Sequence, residues 1–160
     1  MPANDQLGAY LSDHLAGSVA AVDLIEKLRS HNEDTPLAAY LTELEPQIEA
    51  DQEVLKQLIE RIGETRNVVK QAGGWVVEKL SRVRLDERVT RSADLSRLLE
   101  LEMLATGIDA KRSLWQALRP IAAVNPDVAS LDLDDLVGRA EAQRLGGENH
   151  RVEAAVRAFG

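Results

Sequence analysis

The chain has 160 residues, of which 44% are hydrophobic and 29% charged, so it is large and apolar enough to fold as a globular domain and does not belong to the disordered class. The absence of cysteine excludes disulfides and thiolate chemistry, and a formal net charge of -8 makes nucleic acid an unfavourable partner. The sequence contains neither a recognisable signal peptide nor an apolar run near the roughly 20 residues of a spanning helix, so we expect a cytoplasmic protein without a transmembrane segment.

The charge is unevenly distributed along the chain. Residues 1–60 contain 12 acidic and 3 basic side chains, whereas residues 61–91 contain 4 acidic and 8 basic ones. The basic stretch is interpreted as a solvated face, and contact with an anionic partner is the alternative.

Two long helices are predicted in the first 62 residues. Apolar side chains recur every three to four positions over residues 4–30 and again from Pro36 to Ile62, which is the period of an amphipathic helix. Thr35 before Pro36 is a start signal, because threonine caps free backbone N–H groups and a proline at the first helical position loses no hydrogen bond. Pro46 lies inside the second helix and predicts either a kink or a break there.

A shorter third helix is predicted in the segment that follows. Its apolar residues have helical spacing but are interrupted by Gly73 and Gly74; they are Val68, Ala72, Trp75, Val76, Leu80 and Val83. Trp75 is interpreted as a core residue, and a contact with a second copy or with a membrane surface is the alternative.

Two further long helices are predicted over residues 93–118 and 133–158. Ser92 is a candidate cap for the first of them, and a loop with two prolines separates the pair. Gly146 and Gly147 weaken the last helix, because each glycine costs roughly 1 kcal/mol relative to alanine. Period-two alternation of apolar and polar residues is absent, so no strand is predicted.

These elements predict an all-α chain that forms one domain over residues 1–160. Two antiparallel helical hairpins are joined by a long crossover containing a short helix, and each long helix of about 26 residues extends about 40 Å. Four segments in this order resemble the ferritin-like superfamily of antiparallel four-helix bundles, in an uncharacterised bacterial branch: YLSDHLAGSVAAVDLIEKL, LTELEPQIEADQEVLKQLIERIG, LSRLLELEMLATGIDAKRSLWQAL and RAEAQRLGGENHRVEAAVRAF.

The resemblance implies a centre of two iron or two manganese ions. Metal-binding members place a Glu on two helices and Glu-x-x-His on the other two. No Glu-x-x-His occurs in this sequence. We therefore expect a ferritin-like bundle that lacks an intact di-metal centre and a bound cofactor. Such a protein would be a structural or interaction module rather than an enzyme, self-associating as a homodimer.

The first hairpin brings two polar residues of the apolar stripes together. If the chain folds back about residue 33, residue 14 lies level with residue 52, so His14 and Asp51 become neighbours on the buried faces. A buried carboxylate needs a partner, and we expect a His–Asp hydrogen bond that fixes the register of the helices. A variant metal site and a water-bridged pair are the alternatives.

The second hairpin predicts an acidic cluster. Folding about residue 125 places Glu102 level with Glu148 and near His150, while Asp109 lies level with Glu141. We expect a solvated or hydrogen-bonded cluster, because residues two apart on a helix point to different faces. A divalent ion held by two carboxylates and an imidazole is the alternative. A second hypothesis for the function follows, an oxidoreductase or metal-handling protein with iron or manganese at a site built from His14, Asp51, Glu102, Glu148 and His150.

A third hypothesis is a small-molecule site between the helices. The pocket would lie around Ser18, Thr106 and Gly107. Helical bundles host such pockets, and nothing in the sequence names a ligand.

Overall fold

Helices make up the fold throughout the part of the chain that the computed structural model describes, which is residues 3–63 and 91–160. The helices are α1 (Ala3–Ser30), α2 (Pro36–Ile62), α3 (Ala93–Ile121), α4 (Pro126–Ala129) and α5 (Leu133–Phe159). The predicted all-α class is confirmed, and no strand occurs within these two ranges. The predicted third helix with Trp75 and its glycine pair lies outside the described residues, as does most of the basic stretch.

The start and stop signals act as expected from the sequence. The Thr35 hydroxyl accepts the Ala38 N–H at 3.2 Å, and Ser92 accepts the Leu95 N–H at 3.1 Å. Gly63 ends α2 in the left-handed conformation with φ 82°, which a residue without Cβ adopts at no steric cost. Helix α3 runs three residues beyond its predicted end, because Pro120 removes only its own N–H and Ala122 still donates to Leu118.

Neither Pro46 nor the glycine pair of α5 interrupts its helix, so Pro46 does not split α2. A Cβ at Gly146 would lie 3.2 Å from Tyr40 Cε2, and one at Gly147 would lie 2.8 Å from the Tyr40 hydroxyl oxygen. The two glycines therefore let the Tyr40 ring of α2 approach the backbone of α5, where its hydroxyl donates to the Gln143 carbonyl at 3.1 Å. Burial there raises the pKa of Tyr40 to about 12.

The four long helices pack as two antiparallel hairpins. Helix α1 lies beside α2 and α3, and α5 lies beside α3 and α2. Ser18 meets Gln52 in the first hairpin, and in the second Asp109 meets Arg144 while Glu102 meets Arg151 further along. Helices α1 and α3 also run antiparallel to each other, and so do α2 and α5. Helices α2 and α3, which lie diagonally opposite in the bundle, therefore run in the same direction. Ile62 and Ala93 consequently lie at opposite ends of the helices.

Two apolar clusters fill the space between these helices, one towards each end. The first contains Leu11, Leu15, Leu55, Leu58, Ile59, Leu114, Trp115, Leu118, Val128, Leu133, Leu136 and Val137. The second contains Ile25, Leu28, Leu37, Leu41, Leu44, Ile48, Leu98, Leu101, Leu104, Ile108 and Ala154. In α2 and α3 the positions between the two clusters are taken by Asp51 and Lys111, so a polar layer crosses the interior at mid-height.

Candidate functional site

The middle of the protein contains a buried carboxylate that two cations hold. The Asp51 side chain is 1% exposed, and Lys111 Nζ lies 2.6 Å from its Oδ2 atom. Arg139 Nη2 lies 2.6 Å from Oδ1 as an ion pair whose angles fall outside those of a hydrogen bond. Gln143 donates from Nε2 to Oδ2 at 3.2 Å and accepts from Lys111. We call Asp51, Lys111, Arg139 and Gln143 the polar centre; it joins α2, α3 and α5.

The electrostatics of the polar centre explain why a charge is tolerated at this depth. An isolated buried carboxylate costs several kcal/mol, and a well-placed counter-charge with further hydrogen bonds offsets that cost. Burial is the main influence on Lys111 and lowers the pKa of its ammonium group, while Asp51 acts in the opposite direction. Arg139 reaches solvent with about a third of its side chain.

His14 is not the partner of Asp51, which corrects the expected hydrogen bond. Its ring lies 4.8 Å from the Tyr10 ring in an edge-to-face contact, and no hydrogen bond joins it to another described residue. Burial lowers the pKa of His14, with Asp13 acting in the opposite direction, so the imidazole is neutral at pH 7. Since Ser18, one turn further along α1, meets Gln52, His14 lies about a turn away from the level of Asp51.

The second hairpin is also shifted by about one turn from the predicted register. Arginines rather than acids therefore face the carboxylates of α3: Arg144 lies 3.2 Å from Asp109, and Arg151 lies 3.5 Å from Glu102. Both arginines also bind Glu148, at 2.8 Å and 2.5 Å. Glu102 and Glu148 are thus brought together as predicted, but through a shared guanidinium. The Arg151 and Arg144 hydrogen bonds lower the pKa of Glu148 to about 2.

His150 points away from that cluster. Its ring stacks on Tyr40 of α2 at 5.0 Å with an interplanar angle of 29°, so it does not share a site with Glu102. The described residues contain no group of three His, Cys, Asp or Glu side chains placed to hold a metal ion. Iron or manganese at His14, Asp51, Glu102, Glu148 and His150 stays a prediction. Glu102 and Glu148 share Arg151, whereas Asp51 binds Lys111 and each of the two histidines contacts a different tyrosine.

A cavity of about 310 Å³ adjoins the polar centre between α1, α2 and α3. Its wall is mainly apolar, and His14, Asp51 and Lys111 lie on it. Ser18 and Gly107 line the cavity as predicted. Thr106 does not, because its hydroxyl donates to the Glu102 carbonyl within α3.

The basic members of the polar centre were missed in the sequence. Lys111 lies three residues after Ile108 and three before Leu114, so it occupies the apolar stripe of α3 as clearly as Asp51 occupies that of α2. This position in the apolar stripe is the sequence feature that identifies Lys111 as a buried charge. Considering only metal-binding side chains overlooks it, because lysine is not a usual metal ligand.

Comparisons with known proteins return no match: no family model, no curated protein and no solved structure aligns with this chain. Within residues 3–63 and 91–160, no helix combines the length and the apolar character needed to cross a membrane. The chemistry of the site is therefore inferred from its own side chains.

Replacing Asp51 by alanine should destabilise the protein by about 3 kcal/mol or more, because Lys111 then stays buried without its counter-charge. Urea unfolding at pH 7 measures the difference. The matched control is Asp135→Ala, which removes an exposed carboxylate 3.7 Å from the same Arg139 and should change stability by less than about 0.5 kcal/mol. Equal losses in the two variants would contradict the ion pairing at the centre.

Replacing Glu148 by glutamine should lower the unfolding temperature at pH 7, because Arg144 and Arg151 lose the anion between them. The pKa of Glu148 in the folded state is lowered from its ordinary value of 4.5 to about 2, so this contribution is full above pH 4.5 and is lost as the pH falls towards 2. Thermal unfolding of both proteins across that range should therefore show a difference that shrinks on acidification. Glu153→Gln, which removes one exposed ion pair with Arg157, is the control. If the difference in unfolding temperature between wild type and Glu148→Gln did not change with pH, the ion pairing of Glu148 with the two arginines would be refuted.

Proposed function

We propose that this protein is a ferritin-like helical bundle whose interior charge is neutralised by its own Lys111 and Arg139 instead of by two metal ions, and that it is a structural or interaction module rather than an enzyme. The observation that carries the proposal is the occupation of both Asp51 oxygens by cationic nitrogens at 2.6 Å.

The connectivity supports the ferritin-like part of the proposal. Helices α2 and α3 run in the same direction, so the chain leaves α2 at one end and enters α3 at the other. A four-helix bundle with one such crossover is the arrangement that the sequence resemblance implies, and it differs from simple up-down-up-down connectivity.

The donor chemistry supports the metal-free part. Iron and manganese sites of this kind require several carboxylates and imidazoles that point at one place. Here an ion approaching Asp51 would have to displace an ammonium and a guanidinium group and then remain beside both positive charges. The acidic pair of the second hairpin, Glu102 with Glu148, is already bound by Arg151.

Adding iron(II) or manganese(II) to the purified protein should leave its melting temperature unchanged, and elemental analysis should find less than one equivalent of either metal. A tightly bound ion would stabilise the native state and raise the melting temperature. A clear metal-dependent rise would defeat the proposal. Loss of that rise in Asp51→Ala or Glu102→Ala would then favour the di-metal alternative.

We propose that the protein associates with a second copy of itself and that the contact surface of this homodimer lies on α5. Leu145, Val152, Val156 and Phe159 are exposed, and their spacing of seven, four and three residues places them on one face of that helix. Exposed apolar side chains that share one helix face are typical of an interaction surface.

Replacing Val156 by glutamate should convert the dimer to a monomer, because a carboxylate in an apolar contact loses its hydration. Sedimentation velocity measures the mass. Val124→Glu, at an apolar position that is 82% exposed outside this face, is the control and should leave the mass unchanged. A wild-type monomer, or a dimer that survives Val156→Glu, would exclude α5 as the contact.

A further inference from the structure

We propose that the cavity between α1, α2 and α3 is a binding site for a small, mainly apolar molecule that carries one carboxylate. Its volume of about 310 Å³ lies at the lower end of the 300 to 1,000 Å³ range of ligand pockets. This site goes beyond the proposed module function.

Two glycines on facing helices keep the cavity open. Gly17 of α1 and Gly107 of α3 both line it, and a Cβ added at either position meets no atom within 4 Å. Close helix packing therefore does not require glycine there, in contrast to Gly146 and Gly147, where the Tyr40 ring occupies the space. Each glycine nevertheless costs roughly 1 kcal/mol of helix stability relative to alanine. What the two positions provide is room for an occupant.

Lys111 supplies the recognition of a negatively charged oxygen. Its ammonium group has three hydrogens; one goes to Asp51 and one to Gln143, and the third has no acceptor within residues 3–63 and 91–160. The polar centre also has one more positive charge than it has negative charges. The nearest further carboxylate to Arg139 is Asp135, which is 60% exposed and screened by solvent. A carboxylate oxygen satisfies both the free hydrogen and the excess charge.

The rest of the wall selects an apolar body. The hydrogen-bonding groups of Ser18 and Gln52 are engaged, since Gln52 donates to Ser18 and Ser18 donates to the Leu15 carbonyl. His14 is neutral, and Asp13 lies in an exposed position at the rim. The remaining contact surface is hydrophobic; it comes from Ala21, Ile48, Leu55, Ile108, Leu114 and Trp115.

Isothermal titration calorimetry with decanoate and 2-naphthoate tests the proposal, with decan-1-ol and decylamine as comparison ligands of similar apolar size. We expect one molecule of at least one carboxylate to bind per chain, at least tenfold more tightly than the alcohol or the amine. Lys111→Met should remove that preference while binding of decan-1-ol stays within twofold of wild type. Failure of both carboxylates to bind, or equal affinity for the alcohol, would overturn the proposal.

The position of the site is tested by filling it. Gly107→Leu places a side chain in the cavity and should abolish carboxylate binding. Gly138→Leu is the matched control, because Gly138 also lies inside a helix with no atom within 4 Å of an added Cβ but does not line the cavity. Circular dichroism and melting temperature confirm that both variants fold. Wild-type affinity in Gly107→Leu, or equal loss in Gly138→Leu, would contradict the assignment even if Lys111→Met were unstable.

Discussion

The rest of the structure depends on the ionised Asp51 side chain inside the protein. Its two oxygens face cations from α3 and α5, and two apolar clusters lie above and below. Two helices with similar apolar stripes can pack in several registers. A buried charge is stable only in the register that brings its partners to it. A shift of α3 by one turn would remove Lys111 from Asp51, and a shift of α5 would remove Arg139, so either shift leaves one carboxylate oxygen without its cation. The pairing thus fixes how three of the four long helices align.

The same pairing links the architecture to the proposed function. Ferritin-like proteins that bind metal use inward carboxylates to hold positive ions, and here the positive charge is covalently part of α3 and α5. In the proposed function, these two cationic side chains take the place of metal ions. The same arrangement places Lys111 on the wall of the adjoining cavity, where one of its ammonium hydrogens has no acceptor among the described residues, so the structural ion pair and the proposed ligand site share a residue.

Sequence reasoning predicted the helices and only part of the contacts between them. Helix ends followed from local chemistry, since caps such as Thr35 and Ser92 and the left-handed Gly63 act within a few residues of themselves. Asp51 was identified because a charged residue on an apolar stripe needs a partner. Its partner was assigned wrongly to His14, because the level of two residues across a hairpin depends on where the chain turns.

The turns themselves are set by details that periodicity does not contain. In the first turn Asn32 is buried and donates to the Leu28 carbonyl, Asp34 adopts a positive φ of 60°, and Thr35 donates to the Asn32 carbonyl. In the second, α4 adds a helical turn capped by Asn125. Each turn conformation moves the residue about which its hairpin folds back by less than one helical turn. In the second hairpin, that displacement is enough to replace a predicted acid–acid contact with an acid–arginine contact.

A double-mutant cycle between Asp51 and Lys111 tests the central claim most directly, with Asp51→Ala, Lys111→Met and the double variant compared by urea unfolding at pH 7. If the two side chains form a buried ion pair, the double variant should be less destabilised than the sum of the single variants by about 2 kcal/mol, because it removes both members of the pair together. Additive effects within about 0.5 kcal/mol would show that the pair does not hold the centre of the protein together.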